Sequence, residues 1–133
     1  MTASVVYLGD LRTECEHSAS GNRFITDAPI DNNGKGEAFS PTDTVATALA
    51  SCMITVMGIK AAQMQVDMVG TRASVTKHMA ANPRRISRIE VTLDFSINPD
   101  EKTKTILEHT ARTCPVLMSL HPEVEKEIIF HWR

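Results

Sequence analysis

One stretch constrains the fold of this 133-residue chain more than any other, the run from Ser40 to Gln63. Ser40 is a good helix N-cap, Pro41 suits the first helical position, and Asp43 stands three residues after the cap, close to a capping box. Beyond it, Val45, Ala48, Leu49, Cys52, Met53, Val56, Met57 and Ile59 recur at helical spacing, which predicts a helix to about Gln63. Its residues are mostly small or apolar all round, so much of its circumference must be covered. One small domain does not easily supply that cover, and a second copy of the chain would.

The flanking segments supply strands and further helix starts. Val5 to Glu14 and Phe24 to Thr26 read as strands of a hairpin around Gly21-Asn22, and Asp27 to Ser40 reads as a loop. Met68 to Met79 and Ile86 to Ile97 read as strands joined at Asn82-Pro83, the second alternating cleanly through Ile89, Val91, Leu93, Phe95 and Ile97. Asn98-Pro99 repeats the helix-start signal, with Glu101 three after the cap, for a helix to about Arg112. Cys114-Pro115 opens a third, short helix over Val116 to Leu120, and Glu125 to Trp132 alternates as a last strand. With no repeats and no linker, residues 1–133 read as a single α+β domain.

Hydrophobic residues make up 42% of the chain and charged residues 23%, the balance of a folded globular protein. A net charge of -2 gives no broad attraction to phosphate backbones or anionic lipid, so nucleic acid and membrane are not expected partners. No stretch reads as the roughly 18 apolar residues of a membrane span. The segment Met1 to Leu8 has no basic region, and Asp10, Arg12 and Glu14 interrupt any apolar run, so the expected location is the cytoplasm.

The chain has three cysteines, Cys15, Cys52 and Cys114, far apart and without a C-x-x-C. This is neither a disulfide framework nor a common zinc spacing. Cys114 precedes Pro115 and would be the N-cap of a short helix, where the helix dipole and free N–H groups lower a thiol pKa. The same residue could simply cap a turn. Cys52 lies midway along an apolar helix face, where a cysteine is ordinarily a small hydrophobe, and would need a nearby cation to act as a nucleophile. Cys15 and His17 share a strand face and could supply two metal ligands, too few for a site.

The run Gly36 to Met53, GEAFSPTDTVATALASCM, resembles the signature of the OsmC/Ohr superfamily. There a proline and an acidic residue open the central helix and a reactive cysteine follows about ten residues later. Thr113 to Ser119, TCPVLMS, resembles that family's second cysteine at a helix start, and the separation of the two cysteines also fits. Gly9-Asp-Leu-Arg12 and Ala28-Pro29 resemble its N-terminal hairpin, whose arginine reaches the active site. The resemblance spans essentially the whole chain. It implies an α+β fold of curved antiparallel sheets around a long central helix, in an intertwined homodimer with active sites at the subunit boundary. It also implies a stress-defence enzyme, a thiol peroxidase that reduces organic hydroperoxides. Cys52 would be the peroxidatic thiolate, Cys114 the resolving thiol and Arg12 the cation that activates Cys52. No bound cofactor or metal is implied; the electrons come from an external dithiol, of dihydrolipoyl type in the Ohr branch.

The chain departs from that pattern at one place. Where Ohr-type members carry the glutamate that pairs with the arginine stands Thr42, with Asp43 next to it. Asp43 is the expected replacement; if it only caps the helix, Glu37 or Glu14 would pair with Arg12. The missing glutamate also motivates an alternative function, a non-catalytic protein of the same fold that binds a small apolar ligand or partner at the dimer cleft. Arg23 is a second candidate cation, His121 reads as an exposed turn residue, and Met53 and Met57 read as core filler that would favour organic over hydrogen peroxide.

Overall fold

The computed structural model describes all residues, Met1 to Arg133. Two compact units make up the chain, Met1–Val45 and Ala46–Arg133.

The first unit is a three-stranded antiparallel sheet of β1 (Ala3–Gly9), β2 (Arg12–His17) and β3 (Arg23–Asp27), in that order, followed by a loop. The stretch Val5 to Glu14, expected as one strand, is therefore a hairpin. Asp10 and Leu11 form its turn with φ of 52° and 62°, and Gly9 pairs with Arg12 across it. A leucine in the left-handed region is not a turn signal, which is why sequence patterning runs straight through it. The Leu11 N–H is caught by the Tyr7 hydroxyl at 3.3 Å. The loop after β3 folds back through Asp27 N–H to the Phe39 carbonyl (3.0 Å) and Gly36 N–H to the Ala28 carbonyl (3.2 Å). Gly34 permits this return, since a Cβ there would run into the Ala28 carbonyl.

Residues Pro41–Gln63 form α1, which starts in a complete capping box. Asp43 N–H donates to Ser40 Oγ and Ser40 N–H donates to Asp43 Oδ2, each at 3.0 Å. One window of α1 reaches a mean hydropathy of 1.7, which corrects the expectation that no stretch is apolar enough to cross a bilayer. By length and composition this helix passes, but so does the core helix of a soluble protein. Leu49, Met53 and Met57 of this helix are fully buried in the core cluster.

The second unit contains β4 (Arg72–Ala80), β5 (Arg85–Asp94), α2 (Glu101–Arg112), α3 (Pro115–Ser119) and β6 (Glu125–His131). Here the expectation of antiparallel sheets is corrected. β5 is central, antiparallel to β4 and parallel to β6, because α2 and α3 form the crossover that a parallel connection requires. The inward row of β5, Ile89, Val91 and Leu93, packs in one cluster with α1 and with Leu107 and Ala111 of α2. Asp100, not Asn98, caps α2, accepting from Thr103 N–H at 2.8 Å. Trp132 closes the end of the core, stacked on Phe95 with ring centroids 3.6 Å apart and donating its Nε1–H to Glu108 at 2.8 Å.

Candidate functional site

The second unit brings two of the expected residues together. Cys52 lies on α1, half-buried and packed against the core, while Cys114 lies at the start of α3 and is 1% exposed. Both are free thiols, and their side chains are within hydrogen-bonding reach of each other. Cys114 is the N-cap of α3, with Pro115 in the first turn and its sulfur accepting from Leu117 N–H at 3.4 Å. This is the position expected from Cys114-Pro115, but its electrostatic consequence is the reverse. Burial pushes the Cys114 thiol up from its ordinary value, and the hydrogen bond and charge of Cys52 push the same way. The N–H groups of Leu117 and Val116 pull it down and do not prevail. Cys114 therefore holds its proton beside the Cys52 sulfur.

The first unit contains Arg12, and there too the partner differs from the expected one. Arg12 Nε donates to Asp27 Oδ1 at 2.7 Å and Nη2 donates to Asp27 Oδ2 at 2.9 Å, a bidentate pair. Nη2 also donates to Glu37 Oε2 at 3.1 Å, and Glu37 N–H donates to Asp27 Oδ2 at 3.2 Å. The hydrogen bonds from Arg12, then its charge, hold the Asp27 carboxyl below the usual range against the opposing effect of burial. Asp27 in turn raises the Arg12 pKa further.

Arg12 is thus paired with Asp27, with Glu37 as the second acid. The reason is register: Arg12 and Asp27 are direct partners across β2 and β3, whereas the Asp43 carboxylate accepts from Ser40 N–H at the helix cap. Asp27 escaped sequence reasoning because it was counted into the loop. The register of the structure pairs Glu16 with Arg23, Glu14 with Ile25 and Arg12 with Asp27, and only that register brings the last two together.

The remaining candidates are accounted for locally. Arg23 pairs with Glu16 and Glu14, and His121 accepts from Glu123 N–H at 3.1 Å in an exposed turn. His17 shares a hydrogen bond with Ser20 at 2.7 Å, and Cys15 Sγ lies 4.0 Å from Thr13 Oγ1. No group of three or more His, Cys, Asp or Glu side chains gathers as a metal site would require.

Residues 34–128 match the family model described as OsmC-like protein. A crystal structure from Psychrobacter arcticus 273-4, of a protein whose name suggests a role in osmotic stress and detoxification response, is 54% identical. It superposes with a TM-score of 0.96 over 98% of this chain and 96% of that one. An organic hydroperoxide resistance protein from Legionella pneumophila shares 12% identity, with a TM-score of 0.77 over 98% and 97% of the two chains. An OsmC-like protein from Mycoplasma pneumoniae shares 15%, with a TM-score of 0.79 over 96% and 93%. At those identities the last two speak for the fold alone. No curated protein sequence matches the chain.

Proposed function

This chain belongs to the OsmC-like protein family, and from that premise we propose that it is a thiol peroxidase reducing organic hydroperoxides to alcohols. The observation that carries the reading is the meeting of Cys52 and Cys114, with Cys114 buried and protonated. In the proposed cycle the Cys52 thiolate attacks the outer oxygen of ROOH. The O–O bond breaks, the alcohol leaves after taking up a proton, and Cys52 becomes a sulfenic acid. Cys114 then attacks the Cys52 sulfur, and its proton departs with the hydroxyl as water while the disulfide forms. An external dithiol of dihydrolipoyl type returns both sulfurs to thiols and is itself oxidised to a disulfide. Arg12 is the residue that orients the peroxide, through its guanidinium N–H donors. Cytoplasmic residence fits a cycle that needs reduced cysteines.

The test is consumption of cumene hydroperoxide and of hydrogen peroxide by the reduced protein, with dihydrolipoamide as donor. Rapid turnover that prefers the organic peroxide is expected. No turnover, with both cysteines still free thiols afterwards, overturns the peroxidase reading in favour of a non-catalytic binding protein.

A homodimer is part of the proposal. The only buried residues of the first unit are polar, Thr26, Asp27 and Ser40, while Val5, Val6, Tyr7, Leu8 and Phe24 are half or more exposed. A three-stranded sheet that buries no apolar side chain is not stable by itself, and a second copy would supply the missing cover. Sedimentation at micromolar concentration should give a dimer. A stable monomer that retains the folded sheet would overturn this assignment.

A further inference from the structure

Asp27 is more than a counter-ion of convenience. Its side chain is 1% exposed, against 67% for Glu37, so of the two acids on Arg12 only Asp27 is held in place by its surroundings. It accepts three hydrogen bonds, two from the Arg12 fork and one from Glu37 N–H. A buried ion pair is a poor source of stability, because removing the charges from water offsets most of the attraction. A bidentate pair between a buried Asp27 and a part-exposed Arg12, in a unit without a buried apolar side chain, points to geometry rather than stability as its purpose. The fork engages Nε and Nη2, which leaves Nη1 as the nitrogen outside both hydrogen bonds to Asp27.

We propose that Asp27 is the positioning residue for Arg12. It fixes the guanidinium plane by a cross-strand bidentate pair and so takes over the task that the acid at the Thr42 position performs in Ohr-type relatives. The inference rests on the proposed role of Arg12 toward Cys52. It makes that role one of aimed N–H donors more than of net charge, since Asp27 and Glu37 together outweigh the single positive charge of Arg12.

That distinction supplies a test whose sign is informative. The full-length protein and its Asp27→Asn, Arg12→Ala and double variants are compared in two ways. One is the rate of sulfenic acid formation at Cys52 with cumene hydroperoxide; the other is the pH midpoint of Cys52 alkylation by iodoacetamide, resolved by peptide mass spectrometry. Asp27→Asn should slow the peroxide step about 100-fold, the usual consequence of misplacing a reacting group by about an ångström. The alkylation midpoint should rise in both single variants, and the double variant should behave like Arg12→Ala alone, because Asp27 acts only through Arg12. Removing a negative charge without any loss of positioning would lower the midpoint instead. A lowered or unmoved midpoint, or losses that multiply in the double variant, overturns the inference. Asp27→Glu, which keeps the charge and lengthens the arm by one methylene, should fall between wild type and Asp27→Asn, and it serves where the asparagine variant does not fold. If the wild type ignores peroxide, the peroxidase reading falls while the alkylation midpoints still decide the role of Asp27.

Discussion

Replacing Cys52 by serine should abolish peroxide turnover, and replacing Cys114 by serine should leave a single turnover that stops at a sulfenic acid. The Cys52→Ser loss should be on the order of 10³-fold or more, since a serine hydroxyl carries no accessible anion and forms no stable S–O product. Cys114 cannot stand in for it. That thiol is 1% exposed and holds its proton, so an incoming hydroperoxide neither reaches it nor finds a thiolate there. In the Cys114→Ser protein the first step proceeds, but no second sulfur is present to displace the hydroxyl. One equivalent of alcohol per chain is released, and a dimedone adduct at Cys52 records the trapped intermediate. A Cys52→Ser protein that turns over at the wild-type rate would falsify the mechanism. Continuous turnover by Cys114→Ser without a disulfide would show that the external dithiol attacks the sulfenic acid directly.

Truncating Leu49 to alanine should destabilise the second unit by about 3 kcal/mol, the central value for deleting a buried leucine from a packed core. Leu49 is fully buried on α1 and belongs to the same cluster as Met53, Met57 and the β5 row Ile89, Val91 and Leu93. The deletion leaves a cavity bounded by helix and sheet, neither of which can close over it without moving the other. Urea unfolding monitored by Trp132 fluorescence, at fixed protein concentration, should show the midpoint fall with little change in slope. A loss below about 1 kcal/mol would mean that the site collapses around the truncation. The same substitution tests whether the apolar length of α1 is there for the core, since a membrane-spanning helix would tolerate it.

Much of the local architecture was legible in the sequence. The box of Ser40 and Asp43, the periodic apolar run of α1, the alternation of β5 and the Cys114-Pro115 helix start all lie where patterning puts them. Each depends on groups a few residues apart, so the information is complete within a short window. What patterning passed over was set at longer range or by an unusual residue. The β1–β2 turn runs through Leu11, and the start of α2 was assigned to Asn98 when Asp100 is the better placed acceptor.

Two features of the candidate site lay beyond any local window. Arg12 and Asp27 meet because β2 and β3 pair in a particular register, and a shift of one residue would have put the aspartate on the other face. The raised pKa of Cys114 comes from burial and from Cys52, groups that sequence could place on one domain but not within reach of one another. The sequence by itself determined the helices, the caps of α1 and α3, the family and the two cysteines expected to react. Only the tertiary structure decided which acid holds Arg12 and that burial raises the Cys114 thiol, because strand register and desolvation are set by residues distant in the chain.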